Sequence, residues 1–174
     1  LLNKKTIYLH SIMVIQCETT YNQENYDEFK NYPFELDHFQ KYAVKHYLSN
    51  NHVLITAHTG SGKTLPAEFA ILQAHKNGKK SIYTAPIKSL SNQKFNEFTE
   101  KYPHISFGIL TGDIKYNPEA DCLIMTTEIL RNTLFQKQNQ EVQKNLLSFN
   151  MDIENDLECV IFDEVHYIND ADRG

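Results

Sequence analysis

Arginine is nearly absent from this chain: Arg131 and Arg173 are the only two in 174 residues, and the formal net charge is −5. A protein that gripped nucleic acid through bulk positive charge would carry the opposite balance, so that mode is excluded, although a basic strip on one face is not. Cysteine is scarce as well. Cys17, Cys122 and Cys159 are odd in number and lack close metal-ligand spacing, which points to buried, reduced thiols in an intracellular protein, cytoplasmic or nuclear. No apolar stretch is long enough to span a bilayer. Ile7–Ile15 is too short, carries His10 and is followed by no small-residue cleavage site, so no membrane partner is expected. The chain starts at Leu1 and stops at Gly174, directly after a motif-like segment, so both ends read as cut.

What is present is ordinary for a soluble globular domain: 41% hydrophobic and 22% charged residues, with length enough for one core. Residues 1–32 are polar after Ile15 and read as a poorly structured or accessory lead-in. From Leu36, apolar residues recur at Phe39, Ala43, Tyr47 and Leu48, which is helical spacing, with Asp37 as its cap. Short apolar runs then alternate with helical patterns. His52–Thr56, Ser81–Ala85, Ile105–Leu110, Cys122–Thr126 and Cys159–Phe162 read as strands; Leu65–Leu72, a stretch through Leu90, Phe95 and Phe98, and Glu128–Phe135 read as helices. Pro66 is tolerable in a first turn, and Lys76-Asn77-Gly78 closes its helix with a glycine. The alternation predicts an α/β domain over residues 33–174: a parallel sheet with helices on both faces and ligands beyond the carboxyl ends of the strands. Residues 136–156 break the pattern. They are rich in Gln, Asn and acid, and read as a polar surface insertion with a short helix around Val142–Leu147.

Two motifs sit where such a sheet would place chemistry. Ala57-His58-Thr59-Gly60-Ser61-Gly62-Lys63-Thr64 follows an apolar run and precedes a helix, the context of a phosphate-binding P-loop. Gly60 and Gly62 let the backbone curl its N–H groups inward, the helix adds its positive end, Lys63 supplies charge to the β- and γ-phosphates, and Thr64 offers a hydroxyl to Mg²⁺. Asp163-Glu164-Val165-His166 ends an apolar strand. There Asp163 would hold Mg²⁺ through water and Glu164 would orient and deprotonate the attacking water. An isolated Asp-Glu at a strand end is as often a solvated corner; the P-loop upstream is what makes it half of an ATP site. His166 reads either as a coupling residue or as a polar residue after the turn. At the start of the first helix, Gln40 suits a capping box with Asp37, or the N6 and N7 edge of adenine; Phe34 suits a hydrophobic staple, or a stacking ring.

These stretches together resemble the first RecA-like domain of superfamily 2 helicases, and specifically the Ski2/Mtr4-like DExH RNA helicases. The resemblance rests on Phe34–Ala43 (FELDHFQKYA), Ala57–Thr64 (AHTGSGKT), Thr84–Phe95 (TAPIKSLSNQKF), Leu110–Asp113 (LTGD), Asn117–Asn132 (NPEADCLIMTTEILRN) and Val160–Gly174 (VIFDEVHYINDADRG), in family order. Ala57 in place of the usual first glycine is a variation common among such motors. The resemblance implies that Gln40 reads adenine with Phe34 stacked on the base. It also implies that Pro86, Lys88, Gln93, Gly112, Asp113, Thr127, Glu128 and Arg131 track an RNA backbone. Such contacts hold phosphates without reading sequence, and the 2′-hydroxyl is what would favour RNA. By themselves, Lys88 and Arg131 are solvated charges and Thr127-Glu128 is a helix start. The implied protein is an ATP- and Mg²⁺-dependent RNA helicase moving 3′ to 5′ on single-stranded or 3′-tailed RNA, with an RNA-decay complex as partner. A catalytically dead binding module and a DNA helicase of the same superfamily are the alternatives. The family continues with a Ser-Ala-Thr strand, lying between the P-loop strand and the Asp-Glu strand, and a second RecA-like domain with an arginine finger. Without them the middle of the sheet is expected to stand open and the isolated chain to turn over ATP poorly.

Overall fold

The computed structural model describes residues 16–18, 20–22, 26–138, 151–152 and 155–169. They fall into two compact units, divided between Ser61 and Gly62.

In the first unit, α1 spans His38–Leu48. Asp37 caps it as expected, and the Asp37 N–H donates to Gln40 Oε1 at 2.9 Å, completing a capping box. Tyr42, Ala43 and Val44 form its buried stripe. Part of the lead-in is built into this unit. Tyr21 is buried and meets Phe29 and Tyr42 edge-on at 5.8 and 4.9 Å, and the Tyr42 hydroxyl donates to the Thr20 carbonyl at 3.2 Å. Cys17 is exposed, against the expectation of three buried thiols. His52–Thr56 corrects the sequence reading more sharply. It forms no strand; Val53 is 42% and Leu54 76% exposed. A strand exists only through its ladder, and no described residue pairs with this run, so its apolar side chains have no sheet to pack into.

The second unit is the sheet. α2 (Thr64–Lys76) leads into β1 (Lys80–Ala85), α3 (Lys88–Lys101), β2 (Phe107–Leu110), β3 (Lys115–Tyr116), β4 (Cys122–Thr126), α4 (Thr127–Gln138) and β5 (Leu157–Phe162). The strand order is β3-β2-β4-β1-β5. Every pairing is parallel except β3, which folds back antiparallel on β2. Side chains of a strand alternate between faces, and the core divides accordingly. Ile82, Leu110, Leu123 and Met125 pack with Ile129 and Leu130 of α4; Tyr83, Phe107, Cys122 and Ile124 pack with Ile71 of α2 and Phe98 of α3. The expected α/β sheet with helices on both faces is therefore present. No described residue pairs with the outer edge of β5.

Helix α2 ends where Lys76-Asn77-Gly78 implies. Gly78 has φ 66° and its N–H donates to the His75 carbonyl at 3.0 Å. α4 continues through Gln138, past Gln136 where the polar segment was expected to begin. The short helix around Val142–Leu147 lies outside the described residues. Met151, assigned by the sequence to a polar surface segment, is instead buried in the α4-side core, and the Asp156 carbonyl accepts the Lys80 N–H at 2.8 Å. A single apolar residue among polar ones has no periodicity to reveal it.

Candidate functional site

The acidic motif is held at the carboxyl end of β5. The Asp163 N–H donates to the Thr84 carbonyl at 2.9 Å, which extends the β1–β5 ladder by one residue. Both carboxylate oxygens of Asp163 are then engaged. Tyr83 Oη donates to Oδ2 at 2.5 Å and the Glu164 N–H donates to Oδ1 at 2.9 Å. The first of these is in the range of a charge-assisted bond. Glu164 has φ 50°, a left-handed conformation that non-glycine residues seldom adopt. It turns the chain out of the strand into the 3₁₀ turn Val165–Asn169, and its carboxylate meets His166 Nδ1 at 3.2 Å.

This arrangement suits Mg²⁺ in one specific way. Among the described residues there is no cluster of three His, Cys, Asp or Glu side chains able to enclose a metal. Mg²⁺ does not need one: it keeps several waters and takes one or two carboxylates together with substrate phosphates. Each carboxylate oxygen has about two lone-pair positions, so Asp163 retains acceptor capacity beyond its two protein donors.

The segment Ala57–Thr64, expected to bind phosphate, crosses the boundary between the units, and each part has its own geometry. Before the boundary, Gly60 has φ 82° with open space where a Cβ would lie, and the Ser61 N–H donates to the His58 carbonyl at 3.3 Å. Ala57 is half-buried; His58 and Thr59 are exposed. After it, Gly62 has φ 81° and its carbonyl accepts the Leu65 N–H at 3.2 Å. Lys63 caps α2 and Thr64 is its first residue, so the lysine and the hydroxyl stand at the positive end of a 13-residue helix.

In the first unit, Gln40 is buried and its Oε1 is occupied by the capping box. The structure thus shows the local role of this residue. Phe34 does not staple the helix: its ring is 54% exposed, tilted against Tyr32 at 5.8 Å, and it is Leu36, adjacent to the cap, that is buried.

The residues that the resemblance ties to RNA cluster at the carboxyl ends of three parallel strands. Pro86 and Lys88 follow β1, Gly112 and Asp113 follow β2, and Thr127, Glu128 and Arg131 follow β4; Gln93 lies one turn further along α3. Two contacts draw these stretches together. Lys88 Nζ meets Asp113 Oδ1 at 3.0 Å, and Thr127 Oγ1 donates to the Ala85 carbonyl at 3.5 Å. Lys88, and next Thr111, hold the Asp113 carboxyl below the usual carboxylate range. A Cβ at Gly112 would approach Lys88 Nζ to 3.3 Å, a tight contact with the movable end of the lysine. Glu128, Arg131, Gln93, Lys88, Gly112 and Asp113 are all exposed.

Tyr83 is the residue that sequence reading missed. Its only signal is a phenol within the apolar run of β1; its partner lies 80 residues on and is brought near by the ladder alone.

Comparison with known proteins gives a match to the DEAD/DEAH box helicase family over residues 37–174. The antiviral helicase SKI2 of Saccharomyces cerevisiae is 50% identical over 156 residues, covering 87% of this chain and 11% of that protein. Superkiller complex protein 2 of Homo sapiens is 50% identical over 141 residues, covering 81% of this chain and 10% of its own length. The exosome RNA helicase MTR4 of Homo sapiens is 44% identical over 145 residues, covering 83% and 12%. The chain spans about a tenth of the length of these curated relatives.

Proposed function

From a chain that belongs to the DEAD/DEAH box helicase family, we propose the ATP- and Mg²⁺-binding half of a motor that moves on RNA. The observation that carries this is the turn after β5, where Asp163 is fixed through both oxygens and Glu164 is swung out of the strand. In this reading Lys63 binds the β- and γ-phosphates, and Thr64 and Asp163 hold Mg²⁺. The ion, when bound, neutralises charge on the transferring phosphoryl group. Glu164 orients the attacking water and takes its proton, with His166 beside it. Gln40 reads adenine after its amide leaves the capping box, and the exposed ring of Phe34 stacks on the base.

The RNA track is Pro86, Lys88, Gln93, Gly112, Asp113, Thr127, Glu128 and Arg131, which follow strand ends or lie in the first two turns of the helices after them. RNA is favoured over DNA as substrate because a relative of 44% identity is named an exosome RNA helicase. A single strand or a 3′ tail is the form such a track can hold. A second RecA-like domain supplies the arginine finger, and an RNA-decay assembly is the partner class, consistent with relatives named for the superkiller complex and the exosome. Residues 33–174 act as the RecA-like unit and 1–32 as an accessory lead-in. No helix among the described residues is long and apolar enough to cross a membrane; the place of work is intracellular, cytoplasm or nucleus.

ATP turnover by the full-length protein, measured with and without single-stranded RNA, tests the proposal. Stimulation by RNA that Lys63→Ala abolishes is the expected result. Turnover indifferent to RNA removes the motor reading, and no turnover in the full-length protein leaves a nucleotide- or partner-binding module in its place. Equal stimulation by DNA of the same sequence shifts the assignment to a DNA motor.

A further inference from the structure

The strand next to β5 contributes a group that none of the roles above uses. Tyr83 of β1 is 1% exposed, lies opposite Ile161 in the ladder, and packs edge-on against Phe98 with ring centroids 5.3 Å apart. Its ring is fully embedded in the α2/α3-side core. Only the hydroxyl reaches out of that core, and it ends 2.5 Å from Asp163 Oδ2. A buried phenol needs a partner, and here the partner is the carboxylate assigned to Mg²⁺.

The two donors on Asp163 do different things. The Glu164 N–H is local and travels with the turn, so it cannot by itself fix the carboxylate relative to the sheet. Tyr83 is anchored by β1 and by Phe98, so its hydroxyl sets the plane and direction of the carboxylate against the rigid part of the molecule.

We propose that Tyr83 is a positioning residue for Mg²⁺ binding: its hydroxyl locks the Asp163 carboxylate in the orientation that receives the hydrated ion. The inference rests on the assignment of Asp163 given above. Partners that orient a metal-binding side chain typically change metal affinity by about 10–100-fold when removed. Tyr83→Phe removes the hydroxyl and keeps the ring that packs on Phe98, so the core is left in place.

The test uses the full-length protein and a fluorescent ATP analogue, whose binding is titrated at a series of Mg²⁺ concentrations and in EDTA. Thermal unfolding without nucleotide is recorded alongside. Tyr83→Phe is expected to raise the Mg²⁺ concentration for half-maximal tightening roughly tenfold. Binding in EDTA and the unfolding temperature of the free protein are expected to stay at wild-type values, and saturating Mg²⁺ is expected to restore affinity. A Tyr83→Phe protein with the wild-type Mg²⁺ midpoint overturns the proposal, whether or not its unfolding temperature falls. Asp163→Asn serves as the reference for loss of the metal response. If wild-type protein binds the analogue with no Mg²⁺ dependence, the assignment of Asp163 fails and this inference fails with it. That result is distinct from a failure of Tyr83 alone.

Discussion

Glu164 stands in a left-handed backbone conformation, φ 50°, that nothing in Asp163-Glu164-Val165-His166 announces. A strained non-glycine residue of this kind costs on the order of 1–3 kcal/mol and persists only where its surroundings enforce it. Here the Asp163 carboxylate accepts the Glu164 N–H, and the Glu164 carbonyl accepts the Tyr167 N–H at 3.1 Å. The consequence is specific. If Glu164 is the base proposed above, Glu164→Gln keeps the shape and removes that base, so nucleotide affinity should hold while turnover falls by about 10²–10⁴-fold, as read by separate binding and hydrolysis assays. Lys88 is tied at rest to Asp113 across Gly112. As a phosphate contact, its replacement by Ala should weaken RNA binding evenly across sequences and make the salt slope of log K shallower by about one unit; an unchanged slope removes Lys88 from the track. Gln40 shows how far single residues can be read. The capping box was visible in Asp37 and Gln40 because it depends on three-residue spacing, whereas adenine recognition depends on the chain around a ligand, which spacing does not carry.

The parallel strands were legible as elements because buried parallel strands are written as short apolar runs, whereas the exposed two-residue β3 carried no such signal. Cys122–Met125 of β4 is such a run, while Ile82-Tyr83 of β1 and Cys159–Phe162 of β5 are shorter apolar stretches inside their strands. His52–Thr56 has the same signature and forms no strand, since a run predicts burial only when a ladder partner exists. What sequence could not show is how elements are tied. Glu68 of α2 is buried and accepts Lys101 Nζ at 2.9 and 2.8 Å and the Tyr102 hydroxyl at 2.8 Å, linking α2 to the end of α3. Glu68→Ala removes the carboxylate that accepts from both Lys101 and Tyr102 and should lower unfolding free energy by roughly 1–3 kcal/mol, measurable by urea denaturation. Gly108 in β2 is fixed by close approach: a Cβ there would lie 2.1 Å from the Asn117 carbonyl oxygen and 2.8 Å from Leu123 Cδ2. Glycine inside a strand pattern signals such an approach without saying to what. Gly108→Ala must push β2 away from the Asn117 turn, and should cost at least the roughly 1–3 kcal/mol typical of overpacking, seen as a lower midpoint of thermal unfolding.

At the scale of the molecule, the family could be read from the order of its motifs, and the comparisons place the chain in it over residues 37–174. The sheet order and the burial of Met151 could not be, because both depend on contacts distant in sequence. The fold makes a chemical prediction of its own. Burial pushes the Cys122 thiol up to about 12; partial desolvation raises the Cys17 thiol too, but Cys17 is exposed to reagent and Cys122 is not. Only the thiolate reacts, so a thiol-alkylating reagent at neutral pH should label Cys17 in the native protein and reach Cys122 only after unfolding. Strand displacement shows most directly whether ATP hydrolysis drives movement along RNA, as proposed. Two RNA duplexes, one with a single-stranded 3′ tail and one with a 5′ tail, are incubated with the full-length protein, Mg²⁺ and ATP. Release of the displaced strand from the 3′-tailed duplex, dependent on ATP and absent in Lys63→Ala, is the expected result. Release without ATP, or ATP hydrolysis that displaces neither strand, would contradict the proposal.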